Sequence, residues 1–330
     1  MKIAIVKLSA LGDLVHAMVA LQFIKAARPD VQIDWIVEER FAGLLTDHPD
    51  INQLITVNLK ALKTNKTGVF AQIKQLRQQA RQHYDLVIDA QGLIKSAVVA
   101  TLLGKTRAGF DADSIREKAA AWFYSVKVAC PYDSNAIVRN AVVLSNPLGF
   151  TITEAQLDNK QPFLFFKDED PQIYDYLDPA QKTIVLVIGS SWETKNYPAE
   201  KFVAIAKALP HRFLVVWGSE QERQKAEWMA TQADNIWVMP RLDLNSLKAL
   251  ISKADLLIGN DTGPTHMAWA LNRPSITLFG PTPVRMAYQT PINKVVKSAS
   301  IVNPFKLNRQ DDSINTIDER EIIQLAKGLV

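Results

Sequence analysis

Short runs of apolar, often β-branched residues alternate along this chain with stretches whose apolar positions recur every three to four residues. In the first half the runs are IAIV (3–6), IDWIV (33–37) and LVIDA (86–90). Helical periodicity follows the first from about Asp13 to Ala27 and the second from Glu39 to Leu45. Strand, helix, strand in this order predicts parallel pairing through right-handed crossovers. Val69, Phe70, Ile73, Leu76 and Ala80 mark an amphipathic helix whose other face is Gln, Lys and Arg.

A polar, proline-bearing segment from Asp158 to Pro179 interrupts the pattern, which then restarts. TIVLVIG (183–189), FLVVWG (213–218), IWVM (236–239), LLIG (256–259) and SITLFG (275–280) read as strands. Gln221 to Ala230, Leu244 to Lys253 and Pro264 to Leu271 read as helices between them. The fold class predicted is α/β, with two doubly wound domains facing a central cleft: residues 1–165, a linker at 166–179, and residues 180–312. A last helix, opened by TIDE and striped by Ile322, Ile323, Leu325 and Ala326, is expected to pack, as residues 315–330, back on the first domain. No solenoid-period repeat or low-complexity tract is present.

A length of 330 residues with 48 % apolar content suffices for two cores. No apolar run nears the roughly 20 residues that cross a bilayer. Lys7 and Asp13 interrupt the N-terminal run where a signal-peptide core would be apolar, so a cytoplasmic protein is expected. The single cysteine, Cys130, excludes intrachain disulfides and Cys-cluster metal sites. The formal net charge, 38 basic minus 34 acidic, is +4. Residues 1–165 hold 19 Lys/Arg against 15 Asp/Glu, and the rest is balanced at 19 each. Between residues 60 and 107, nine Lys/Arg, including Lys60, Lys63 and Lys66, face only Asp85 and Asp89. That stretch is either a solvated helix face or the attractor of an anionic partner or membrane surface. Nucleic acid is not expected, because the net positive charge is mild.

Two loops at strand-to-helix transitions carry the candidate chemistry. Lys7-Leu8-Ser9-Ala10-Leu11-Gly12-Asp13 has one glycine, so neither a dinucleotide fingerprint nor, at Gly104-Lys105-Thr106, a P-loop is present. Asp13 is a candidate catalytic base, or a helix cap. Gly259-Asn260-Asp261-Thr262-Gly263-Pro264 suits a diphosphate laid across a helix N-terminus, with His266 in the first turn as a phosphate contact or a structural hydrogen bond. Ser190, Ser191 and Lys195, after the first strand of the second half, could hold diphosphate oxygens. Trp217 offers a wall for a base or plain core, and Glu222 a partner for ribose hydroxyls. Asp111-Ala112-Asp113 has the DxD form of a metal site, but loop placement argues against chelation. The five histidines lack zinc-binding spacing.

KLSALGDLVHAMVAL, IDAQGLIKSA and SVKVA, with VIGSSWETKNYPAEKF, VVWGSEQE and GNDTGPTHMAWALNRPSITLFGPTP, resemble the bacterial lipopolysaccharide heptosyltransferases, a GT-B family, over essentially the whole chain. IDAQGLIKSA with SALGD is more similar to the type I than the type II branch. The resemblance implies inverting transfer of L-glycero-D-manno-heptose from ADP-heptose to a Kdo residue of Kdo-lipid A, at the cytoplasmic face of the inner membrane, with no cofactor and no metal. It implies Asp13 as general base and Lys195 as a second catalytic residue, facing the phosphate on which negative charge grows. On the donor side it implies Ser190, Ser191, Lys195, Thr262, Gly263 and His266 around the diphosphate, Glu222 on ribose, Trp217 and Met239 at adenine, and Asp261 on heptose. Lys7, Ser9, Ala10, Gly12, Lys60, Lys63, Gln91, Gly92 and Arg116 are the candidates on the acceptor side. Ser190 and Ser191 stand where family members carry Thr, so the hydroxyls persist without the methyl contact. Heptosyltransferase II, another GT-B nucleotide-sugar enzyme, or a non-catalytic nucleotide-sugar-binding protein in which Asp13 is only a cap, are the alternatives.

Overall fold

The computed structural model describes residues 1–59 and 66–330, the side chains of 66–70 excepted. It forms two compact units, Met1–Phe163 and Leu164–Val330. The boundary falls just before the anticipated linker, so that segment belongs to the second unit.

In the first unit the strands are β1 (Lys2–Val6), β2 (Gln32–Glu38), β3 (Gln53–Val57), β4 (Leu86–Asp89), β5 (Arg107–Phe110) and β6 (Val126–Val128). The helices are α1 (Leu11–Met18), α2 (Ala20–Ala27), α3 (Ala42–Leu45), α4 (Lys66–Ala80), α5 (Ile94–Leu103), α6 (Ala136–Ser145) and α7 (Glu154–Asp158). The strands make one parallel sheet in the order β3-β2-β1-β4-β5-β6. Ile3, Ala4, Ile5 and Val6 are wholly buried, which is why β1 reads as an unbroken apolar run and not as an alternation. Trp35 of β2 is wholly buried too, its indole N–H donating to the Lys7 carbonyl at 3.2 Å. The single helix expected from Asp13 to Ala27 is two, divided at Val19. The one expected from Glu39 opens as a 3-10 turn and becomes α-helical only over Ala42–Leu45.

In the second unit the strands are β7 (Thr183–Val187), β8 (Arg212–Val216), β9 (Ile236–Val238), β10 (Leu256–Asn260), β11 (Ser275–Phe279) and β12 (Asn293–Lys297). The helices are α8 (Ala199–Ala208), α9 (Glu220–Gln232), α10 (Leu244–Lys253), α11 (Gly263–Ala270) and α12 (Glu319–Lys327). The sheet is parallel, ordered β12-β11-β10-β7-β8-β9, so counted from its own first strand it repeats the order of the first unit. Its core joins Phe202 of α8, Phe213 of β8 and Ile258 of β10.

The last helix departs from expectation. It packs within its own unit, against α8, β11 and β12, with Ile322 and Ala326 wholly buried in that core. The Lys201 ammonium and Tyr197 hydroxyl of the same unit both donate to the Ile317 carbonyl just before it. An apolar stripe is buried on the first uncovered face within reach, and here α8 and the β12 edge supply it.

Candidate active site

In a parallel sheet of this order, connections run in opposite directions from the two central strands, leaving a crevice at their carboxyl ends. In the first unit those strands are β1 and β4, in the second β7 and β10. The loops singled out in the sequence follow three of the four.

After β1, Lys7 is buried and its ammonium donates to the Ala90 carbonyl beyond β4 at 2.8 Å. Burial pushes its pKa down, while the nearby Asp13 and Asp89 carboxylates push it back up. The Leu8 and Ser9 amides donate to the Gln91 side-chain oxygen at 3.0 and 3.1 Å. Asp13 is the third residue of α1, and its carboxylate accepts the Ala10 amide at 3.1 Å. Capping is therefore one of its roles. It occupies one carboxylate oxygen, Oδ2, of a side chain that stays partly exposed. Gly12 and Ser9 are partly exposed beside it and Ala10 is exposed.

The β4 loop that holds this one is built on Asp89, which sequence reasoning missed. Its Oδ1 accepts the Gln91 and Gly92 amides at 2.8 and 3.2 Å, and its Oδ2 accepts the Tyr124 and Ser96 hydroxyls at 2.6 and 2.8 Å. Burial raises the Asp89 pKa against these four hydrogen bonds, which favour the carboxylate. Gly92 has φ +70°, and a Cβ there would lie 2.8 Å from Ile115 Cγ2, so the turn admits no side chain. Arg116, next to Ile115, is exposed. Lys60 and Lys63 lie outside the described residues.

After β7, Lys195 closes a 3-10 turn, Glu193–Lys195. Its ammonium meets Asp261 Oδ2, beyond β10, at 3.0 Å, and His266 Nε2 meets Asp261 Oδ1 at 3.1 Å. All three side chains are buried. Burial, the largest single influence, would raise the Asp261 carboxyl, but the Lys195 charge, the His266 hydrogen bond and charge and the Thr282 hydroxyl together outweigh it and hold the group well below the usual carboxylate range. Thr262 is the N-cap of α11 in extended conformation, yet its hydroxyl makes no capping bond; Gly263 and Pro264 form the first turn. Asn260 ties the two loops together, accepting the Tyr197 amide at 2.9 Å and donating to the Ile188 carbonyl at 2.8 Å. The Ser190 hydroxyl donates to the Trp192 carbonyl within its own turn, and Ser191 is exposed.

Glu222, in the first turn of α9, bends over the sheet to accept the Gly218 amide at 2.7 Å. A Cβ on Gly189 would stand 2.1 Å from that carboxylate, so a glycine at the end of β7 is what lets the acid lie there. The half-buried Trp217 donates its indole N–H to the Met239 carbonyl at 2.7 Å, which places these two residues side by side. The structure thus gathers Lys195, Asp261, Thr262, Gly263 and His266 into one cluster, and brings Glu222 beside the β7 loop through Gly189. Asp111 instead caps a local turn through the Ser114 amide, and Asp113 pairs with Lys118 on the surface. Among the described residues no group of three or more His, Cys, Asp or Glu could hold a metal ion.

Comparison with known proteins adds a family context. The profile of glycosyltransferase family 9 (heptosyltransferase) matches residues 69–313. Lipopolysaccharide heptosyltransferase 1 of Campylobacter coli is 37 % identical, covering 100 % of this chain and 99 % of its own. The Pseudomonas aeruginosa protein of that name is 34 % identical, over 86 % of this chain and 79 % of its own. The E. coli heptosyltransferase WaaC, solved with ADP-2-deoxy-2-fluoro heptose, superposes with a TM-score of 0.80 at 23 % identity over 100 % of both chains.

Proposed function

The chain belongs to glycosyltransferase family 9, the heptosyltransferases, and on that footing we propose that it is heptosyltransferase I: it moves L-glycero-D-manno-heptose from ADP-heptose to a Kdo residue of Kdo-lipid A, with inversion. The observation that carries the donor half is the buried cluster of Lys195, Asp261 and His266 beside the first turn of α11. As the anomeric carbon–oxygen bond breaks, the electron pair leaves with ADP, and negative charge grows on the distal phosphate. The positive end of α11, with Thr262 and Gly263, and the Lys195 ammonium are the groups here that stabilise it. Glu222 takes the ribose hydroxyls, Trp217 and Met239 border the adenine, and Asp261 orients heptose hydroxyls while tethering Lys195. Ser190 and Ser191 complete the diphosphate loop.

On the acceptor side Asp13 takes the proton of the Kdo hydroxyl as its oxygen bonds to the anomeric carbon. Such base assistance is worth about 10²- to 10⁴-fold in rate. Ser9, Ala10 and Gly12 line the loop, Gly92 and Arg116 the neighbouring one, and Lys60 and Lys63 supply positive charge toward a phosphorylated acceptor. Lys7 and Gln91 act from beneath, as struts of the same loops. ADP-heptose is a substrate, and neither cofactor nor metal enters the reading. The acceptor being a membrane lipid, the enzyme works at the cytoplasmic face of the inner membrane.

The test is transfer by the purified protein to Kdo-lipid A, read by mass spectrometry, for the wild type and Asp13→Asn. A heptose-sized mass gain that falls by at least about 10²-fold in the variant is expected. Donor binding with no transfer in either protein would leave a nucleotide-sugar-binding module, with Asp13 a cap.

A further inference from the structure

One face of the first unit carries apolar groups that stand exposed among the described residues. Trp122, in the 3-10 turn Lys118–Phe123, is 83 % exposed; Ile94 and Val98 of the adjoining α5 are 45 % and 44 % exposed. Helix α5 and this turn pack against each other, and the Glu117 carboxylate accepts the Ile94 amide at 2.8 Å. The exposed groups therefore stand on a fixed platform and not on a loose tail. Val126, on the edge strand β6, is also exposed.

Cations interleave these groups. Lys95, Lys105, Lys118 and Lys127 are exposed, while the neighbouring acids are engaged, Glu117 at the start of α5 and Asp113 with Lys118. An indole with aliphatic neighbours and a lysine surround suits the headgroup level of a bilayer, where the ring has one apolar and one wet side and the ammonium groups meet phosphates. The same lysine density suits a protein–protein contact poorly, since such cores are depleted in lysine. Helix α5 begins two residues beyond Gly92, so this face continues directly from the loop assigned to the acceptor side.

We propose that the face formed by α5 and the Trp122 turn docks the protein on an anionic lipid surface. Trp122, Ile94 and Val98 enter the headgroup boundary, and Lys95, Lys105 and Lys127 pair with lipid phosphates. The purpose of the docking rests on the lipid-anchored acceptor proposed above, but the docking itself is measured without any acceptor.

The experiment is co-sedimentation of the full chain with phosphatidylcholine vesicles, and with the same vesicles containing phosphatidylglycerol, at low and high salt. Two double variants are compared with the wild type: an apolar one, Trp122→Ser with Val98→Ser, and a charge-reversed one, Lys95→Glu with Lys127→Glu. Binding to the anionic vesicles, weakened by salt and by about tenfold in each double variant, is expected. The two variants change opposite features of the face, so a folding defect in one leaves the other decisive. Wild-type indifference to anionic vesicles overturns the proposal, as does binding by both variants equal to that of the wild type. A concentration-dependent dimer that Trp122→Ser dissolves, without vesicle binding, overturns it in favour of self-association. Transfer to a deacylated, soluble Kdo acceptor separates the docking from the reaction. Retained transfer by the apolar variant alongside lost vesicle binding supports docking, whereas absence of transfer even in the wild type sinks the proposed reaction and leaves the vesicle result to judge the face by itself.

Discussion

Asp261 is 6 % exposed and sits between a lysine and a histidine, so its charge is both costly to bury and strongly held. Because its folded pKa is depressed, the stabilisation it gives is present above the ordinary carboxylate range and is lost only as pH falls below it. Across neutral pH the pair is therefore intact, and on the proposed reading a diphosphate competes with Asp261 for Lys195. Asp261→Asn removes the competitor and strands a buried ammonium, which costs about 3–5 kcal/mol for a buried pair broken on one side. The expected outcome is a loss of that size in urea unfolding, together with an ADP-induced rise in Tm larger than that of the wild type, because the nucleotide now supplies the missing negative charge. Equal stability, or an ADP shift no larger than the wild type's, would show that Lys195 does not face the diphosphate.

At the scale of elements, the β4–α5 loop is the support on which the Asp13 loop rests. Tyr124 and Ser96 fix Asp89, Asp89 fixes the Gln91 and Gly92 amides, and Gln91 in turn holds Leu8 and Ser9. Asp89→Ala leaves buried donors unpaired, each at about 1–3 kcal/mol. It should lower both stability and kcat while ADP affinity, measured by calorimetry, stays unchanged; a matching loss of ADP affinity would mean that the damage is global. None of this support is visible in the sequence, where Asp89 ends an apolar run and its partner Tyr124 lies 35 positions away. Central strands are legible because burial on both faces makes them continuous apolar runs, as in β1, β7 and β10. Strands β5 (RAGF), β6 (VKV) and the edge strand β12 (NKVVK) carry no such run and give no strand signal. The division of α1 from α2 at Val19 is hidden for the opposite reason, since the apolar period runs on across it. The stripe of α12 is legible but its partner is not, because periodicity shows that a face is buried and not against what. The site loops are legible where turn formers and hydroxyls gather after a strand, at Lys7–Asp13, Gly189–Lys195 and Gly259–Gly263. Asn260 and Gly189 act through partners distant in sequence, and only the structure assigns them roles.

At the scale of the molecule, two units with the same strand order have been given different surfaces. Residues 1–163 carry all of the excess positive charge, 19 Lys/Arg against 15 Asp/Glu, while residues 164–330 are neutral at 19 of each. On the proposed reading the neutral unit serves the donor, whose charge is met locally by Lys195 and the first turn of α11, and the basic unit, with an exposed indole, serves a phosphorylated lipid. This division makes ADP a probe of one unit alone. Hydrogen exchange with saturating ADP should slow at 189–195, 217–222 and 259–266, where bound nucleotide would restrain the loops after β7, β8 and β10. Amides at 7–13 and 90–92 should keep their rates, because those loops are assigned to the acceptor and not to the nucleotide. If protection instead appeared at 7–13 and not at 259–266, donor and acceptor would have to exchange units, and the roles given to Asp13 and Lys195 would exchange with them.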